Sequence, residues 1–380
     1  MTSPYPEPLL PHDGEPAPPD GIDAAGSDVA WIATQRELGR RTGRVVVVSR
    51  GFDTVRFDDG TEALTDRSTA AFRAASLGGP PAVGDRVAVV HDGSTPAIVS
   101  IARRRGVIVR RDPADRMTAQ VVAANVDTVL CVFGLDRPLR PRRVERVLVL
   151  VHEGGATPVV VLTKGDLDDP GDQRIEEATA AVRHLAPNVA LHVVSSRTGA
   201  GLETLAPYLR PGATVALLGE SGAGKSSLVN ALAGDGAAEV GSVRDRDGRG
   251  RHTTTVRRVF ALPGGASLID TPGLRSLGLW DAADGVDEAF PDIAERATRC
   301  RFRDCHHDDE PGCAVREAVE AGLLPRPRLA AYLDLQSEID QVETRREAGR
   351  RLRGEGRRPP LRRARRRAAV DHDEEPDDED

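Results

Sequence analysis

Residues 219–227, GESGAGKSS, set three glycines ahead of a lysine and two serines in the pattern G-x-x-x-x-G-K-[ST]. Residue types in that order bind phosphate. The backbone N–H groups of Gly219, Glu220, Ser221, Gly222, Ala223 and Gly224 can turn onto an anion. Lys225 reaches the β- and γ-phosphates, and the hydroxyl of Ser226, with Ser227 behind it, can ligate Mg²⁺. Glycine is needed because a backbone without Cβ adopts positive φ and approaches phosphate closely. The apolar run 214–218 predicts a buried strand leading in, and 226–233 a helix leading out with its positive dipole end on the anion.

A second group would read a base. Thr163-Lys164-Gly165-Asp166, with Leu167 following, is similar to the [N/T]KxD guanine motif. Asp166 can accept guanine N1–H and N2–H₂ together, which adenine cannot offer, so the motif opposes an ATPase. The Lys164 stem would lie along the base, and the turn at Ser195-Ser196 can aim a backbone N–H at the guanine carbonyl. Threonine at 163 keeps a hydroxyl but lacks the asparagine amide that ties neighbouring loops together, so weaker nucleotide binding is expected. Lys164 and Lys225 are the only lysines in a chain whose other cations are arginine. Both fall in these motifs, where a compact ammonium is not replaced by a guanidinium.

Asp270-Thr271-Pro272-Gly273 ends a further strand, with Asp270 placed to orient the Mg²⁺ shell and the Gly273 N–H to face the γ-phosphate. The polar loop 250–255, GRHTTT, is the expected switch, in which Thr254 closes on Mg²⁺. Leu274 stands where a water-orienting glutamine is usual; His252 is the candidate replacement, or else a loop histidine touching RNA. The base motifs at 163 and 195 precede the phosphate loop at 219, the reverse of the ordinary order, so the domain reads as circularly permuted.

A third group is C-x₄-C-x-H-x₅-C: Cys300, Cys305, His307 and Cys313. Three cysteines and a histidine make a closed tetrahedral Zn²⁺ site, structural rather than catalytic, with His306 as an alternative ligand. Cys131 lies in the apolar run VLCVF and reads as a core residue.

Positioning these groups requires a sheet. Apolar runs at 127–133, 158–162, 191–194, 214–218 and 266–269 alternate with helical stretches such as 142–151 and 175–184, which predicts a mostly parallel α/β sheet covered on both faces. Ahead of it, short alternating strands at 44–48, 53–57, 86–90 and 97–101 suit a small OB-type barrel, and the arginines at 103–105 and 110–111 point that barrel toward nucleic acid. The expected domains are a disordered Pro-rich segment 1–35, the barrel 36–105, the nucleotide domain 106–290, a helical zinc module 291–343, and a disordered tail 344–380. Twelve of the 23 residues from 345 to 367 are arginine, and eight acids follow from 371 to 380. Such an arm is expected to bind RNA phosphates. No apolar run reaches membrane-span length, the start lacks a signal pattern, and a cytoplasmic location is expected.

The permuted order, GESGAGKSS, GRHTTT, DTPG, the barrel ahead and the Cys/His cluster behind together resemble the ribosome small subunit-dependent GTPase A family, over about residues 40 to 340. The resemblance implies a circularly permuted P-loop GTPase between an OB-type barrel and a zinc module. It implies GTP hydrolysis to GDP and phosphate with Mg²⁺, one structural Zn²⁺ held through His307 rather than His306, and docking on the small ribosomal subunit and its rRNA late in maturation. A monomer stimulated by that subunit is expected; the rival is a non-enzymatic RNA-binding assembly factor using the nucleotide only as a switch.

Overall fold

The computed structural model describes residues 24–49, 51–74, 79–91, 95–111, 119–167, 173–233, 257–270 and 283–352. The chain divides into two compact units, Met1–Gly278 and Leu279–Asp380.

In the first unit the apolar runs become strands, the central ones buried on both faces and the edge strand at 190–193 only partly covered. Five pair in parallel in the order β10 (Ala190–Val193), β9 (Thr157–Thr163), β8 (Thr128–Gly134), β11 (Thr214–Gly219), β13 (Ser267–Asp270). Alternate side chains point to opposite faces. One face carries Leu130, Val132, Val159, Val161, Val215, Leu217 and Leu268, packed with Leu228 and Val229 of α5 (Lys225–Ala233) and Leu205 of the 3₁₀ helix Leu202–Tyr208. The intervening residues Val129, Cys131, Val160, Leu162 and Ala216, all fully buried, face the other way. There α3 (Pro141–Glu153) packs on β8 and β9, with α4 (Arg174–Leu185) beside it. Burial pushes the Cys131 thiol up to about 12, as befits an inert core residue.

The barrel strands are β1 (Arg41–Val48), β2 (Phe52–Phe57), β3 (Glu62–Asp66), β4 (Arg86–Val90) and β5 (Ala97–Ile101). β1 pairs with β2 and β4, β2 with β3, and β4 with β5, all antiparallel; the Asp66 N–H donates to Pro96 O at 3.0 Å and brings β3 to β5. Val45, Val55, Phe57, Val87, Val89 and Ile98 fill the interior. The short helix α2 (Ala70–Ala74) lies against β5. The barrel is not separate from the nucleotide sheet: β12 (Arg257–Ala261) pairs antiparallel with β13 and, through Val47↔Arg258 and Val48↔Arg257, with β1.

Three features depart from expectation. The segment expected to be disordered before 36 includes α1 (Ala24–Glu37), which packs on β1 and carries the Asp28–Arg105 ion pair. A hairpin of β6 (Ile108–Arg111) and β7 (Ala119–Ala123) occupies part of the arginine-rich stretch. Arg104, read as part of a nucleic-acid patch, instead forks onto the fully buried Asp85 at 2.8 and 2.7 Å.

The second unit begins at 279 rather than at 291, because α6 (Ala283–Ala289) supplies its core: Val286 and Phe290 are fully buried with Ile293 of α7 (Pro291–Ala297). α8 (Ala314–Glu320) follows, and α9 (Arg326–Leu352) runs eight residues past 344, where the tail was expected to begin without structure. Buried Arg328 donates to Asp292 and to Ala289 O and lies over the Phe290 ring.

Candidate functional site

The carboxyl ends of β8, β9, β11 and β13 lie side by side, with Gly134 opposite Thr163, Gly219 opposite Val132, and Leu217 opposite Asp270. The loops leaving β9 and β11 at this edge carry the base motif and the phosphate motif picked out in the sequence, and Asp270 ends β13 beside them. The phosphate loop crosses the end of β8 at Gly134, where a Cβ would sit 3.5 Å from the Ala223 Cα and 2.5 Å from Asp136 Oδ1. Its own turn is made by Gly222 and Gly224 at φ 80° and 87°. Lys225, the first residue of α5, folds back to donate to the carbonyls of Gly219 at 2.8 Å and Glu220 at 2.7 Å. Burial lowers the Lys225 pKa, opposed by the nearby charges of Asp270 and Glu220. Ser226 and Ser227 are exposed on the first turn of the helix.

Asp270 ends β13. Burial raises its pKa, which Lys225 partly counters, and its Oδ1 is buried without a hydrogen-bond partner among the described residues. An orphaned buried carboxylate oxygen beside a phosphate loop suits a hydrated cation, whose charge would favour the ionised form.

The base-motif loop is tied directly to the phosphate loop. Thr163, 1% exposed, donates its hydroxyl to Ala223 O at 2.6 Å. Lys164, in the left-handed region at φ 63°, donates to Gly222 O at 2.7 Å and pairs with Asp136 at 2.9 Å. The threonine therefore makes the inter-loop tie that the sequence reading expected it to lose. Asp166 follows in the 3₁₀ turn Gly165–Leu167, with Leu167 exposed beside it. Its Oδ1 accepts from the Ser195 hydroxyl at 2.6 Å and its Oδ2 from Arg197 Nε at 2.7 Å. The Ser195 hydrogen bond, with the Arg197 charge added, holds Asp166 below the usual carboxylate range. Ser196 follows Ser195 in its turn, its hydroxyl buried and without a partner among the described residues. His252, Thr254 and Gly273 lie outside the described residues.

In the second unit Cys300, Cys305, His307 and Cys313 converge, their ligand atoms all within 4.8 Å of one another. His307 Nδ1 lies 3.7 Å from Cys300 Sγ and 3.5 Å from Cys313 Sγ. His307 adopts φ 62° and is buried against the Tyr332 ring, whereas His306 is exposed and faces Glu310, which accepts from its backbone N–H. This donor set can hold a metal ion, and His307 rather than His306 belongs to it. Burial, with the neighbouring thiols adding to it, raises the Cys305 pKa, so a metal would bind by displacing protons.

The family model of the RsgA GTPases matches residues 101–280. A curated relative from Streptomyces coelicolor, "Small ribosomal subunit biogenesis GTPase RsgA", is 43% identical over 348 residues, spanning 90% of this chain and 92% of the relative. The chain belongs to the RsgA GTPase family. An RsgA of Streptomyces avermitilis is 47% identical over 275 residues, 72% of this chain and 73% of that protein. Among solved structures, YjeQ from Thermotoga maritima superposes with a TM-score of 0.58 at 28% identity, covering 79% of this chain and 98% of its own. YloQ, described as a circularly permuted GTPase, gives 0.56 at 26% identity over 80% and 96%. The strand order agrees with that description: this RsgA-family chain is a permuted P-loop GTPase whose base-motif strand β9 precedes its phosphate-loop strand β11 in sequence and lies two strands away in the sheet.

Four polar residues at this edge were missed in the sequence: Asp136, Arg137, Arg143 and Arg197. Arg143 pairs with Glu220, Arg137 with Asp136 at 3.3 Å, and Asp136 with Lys164. The available signal was position: Asp136 and Arg137 directly follow an apolar strand, where α/β sheets place their ligand loops.

Proposed function

We propose that this chain hydrolyses GTP at the β8–β9–β11–β13 edge in the service of small ribosomal subunit maturation. The observation that carries the reading is the pair of bonds from Thr163 to Ala223 O and from Lys164 to Gly222 O, which join a base-reading loop to a phosphate loop. In this reading Asp166 accepts from guanine N1–H and N2–H₂, Ser195 and Ser196 shape the far side of the base, and Lys164 lies along it. The N–H groups from Gly219 to Gly224 and the Lys225 ammonium bind the phosphates, with α5 directing its dipole at them. Ser226 and Thr254 would hold Mg²⁺, with Asp270 orienting its shell; when bound, the ion neutralises charge on the β- and γ-oxygens. His252 orients the attacking water, and the Gly273 N–H meets the γ-phosphate; both assignments rest on the sequence motifs.

Zn²⁺ is the metal proposed for the Cys₃His group, because thiolate-rich closed tetrahedra select it and hold structure rather than do chemistry. The five-stranded barrel, read as an OB-type module, and the arginine-rich tail are proposed to contact rRNA, with the protein acting as a cytoplasmic monomer. The proposed divisions are the barrel to 105, the GTPase domain after it, the zinc module, and a tail. The names borne by the Streptomyces relatives support the ribosomal assignment.

GTP turnover measured with and without purified small subunits tests the proposal. Stimulation that disappears in Lys225→Ala is expected, and equal rates in both conditions would overturn it.

A further inference from the structure

Arg197 belongs to none of the motifs above. It sits in the turn after β10, and its side chain is 73% exposed, yet its Nε meets the largely covered Asp166 carboxylate at 2.7 Å. The Ser195 hydroxyl that donates to the other carboxylate oxygen also accepts from the backbone N–H groups of Arg197, at 3.3 Å, and Thr198, at 3.1 Å. The turn carrying Arg197 is thus folded around the same hydroxyl that holds Asp166.

A carboxylate offers about four lone-pair sites, two on each oxygen. Ser195 donates to Oδ1 and Arg197 to Oδ2, and the residue's own backbone N–H adds a further hydrogen bond, so both oxygens are held in place from within the protein. A partner with two adjacent N–H donors requires a carboxylate whose two oxygens are both held in a fixed orientation.

We propose that Arg197 is a positioning residue for base recognition, clamping Asp166 against Ser195 so that its two oxygens are held toward a purine with both an N1–H and a 2-amino group. The inference rests on the guanine-reading role of Asp166 proposed above. A planar guanidinium on a short turn fixes the carboxylate in angle as well as in distance, which a flexible ammonium does less well. A purine with only one donor needs only one correctly placed oxygen and is less sensitive to the clamp.

Calorimetric titration of the full chain with GDP and with IDP, whose base lacks the 2-amino group, reads this directly. In Arg197→Gln the Kd for GDP rises about two- to five-fold, the span of a solvent-exposed ion pair. The Kd for IDP rises less, so the preference for GDP over IDP shrinks. Arg197→Lys recovers part of the preference, and the KM for GTP in Arg197→Gln rises by a larger factor than kcat falls. Unchanged GDP binding, or an equal loss for GDP and IDP, would overturn the proposal. So would tighter GDP binding, which would make Arg197 a plug that the base must expel. Asp166→Ala separates the two levels of the argument: if it binds GDP as the natural protein does, the base-reading role itself fails, whatever Arg197 does.

Discussion

Replacing Thr163 by valine probes how the two halves of the site are held together. The side chain is 1% exposed, and valine keeps its shape, so packing at the end of β9 is preserved. What disappears is the 2.6 Å hydrogen bond to Ala223 O, a carbonyl on a residue only 3% exposed. Leaving such an acceptor unpaired costs about 1–2 kcal/mol. If that cost falls on the bound arrangement of the phosphate loop, it corresponds to roughly five- to thirty-fold weaker nucleotide binding. A fluorescent GDP analogue, titrated into both proteins and chased for its dissociation rate, measures this. The loss should appear mainly in dissociation, because the tie holds the closed loop. Thr163→Asn, which restores a donor, should recover most of the affinity. Binding within two-fold of the natural protein for Thr163→Val, with an unchanged dissociation rate, would refute the argument that this hydroxyl couples base loop to phosphate loop.

Two other substitutions test the energetics of the first unit. Asp270 has a pKa raised by burial, so the folded state holds its proton to higher pH than the unfolded state does, and the residue lowers stability as pH rises through that window. Asp270→Asn should therefore raise the melting temperature of the nucleotide-free protein at neutral pH by about 2–4 °C while removing GTP hydrolysis; a lower melting temperature would contradict this. Arg104→Met leaves the buried Asp85 carboxylate without its bidentate partner and should destabilise the fold by about 3 kcal/mol in urea unfolding. A change in salt-dependent RNA affinity at unaltered stability would instead restore Arg104 to a nucleic-acid surface.

The parts of this protein that were legible in the sequence are those whose meaning is local. The phosphate loop, the base motif and the Cys/His cluster are each complete within fourteen residues, and the buried parallel strands announce themselves as unbroken apolar runs. What was not legible depends on partners far away along the chain. Arg104 looks like any arginine in a chain nearly without lysine, and only its contact with Asp85, nineteen positions earlier, shows that it is part of the fold. No apolar alternation marks β3: its residues EALTD hold one large apolar side chain, Leu64, and that one is exposed. Thr163 looks like a weakened asparagine in the sequence, because the carbonyl that its hydroxyl meets lies sixty residues later.

β1 has one consequence for any attempt to rebuild this protein. Along one edge of that single strand, Arg41–Arg44 pair with β4 while Val47 and Val48 pair with β12, and a bulge falls between Val45 and Val47 where the opposite edge meets β2. Barrel closure and attachment to the nucleotide sheet are therefore cut from the same eight-residue ribbon. Inserting or deleting one residue there would turn the side chains beyond it onto the wrong face and shift the β12 pairing at the same time. The barrel is not an exchangeable cassette: a chimera that takes it from a relative must take β1, β4 and β12 as a set.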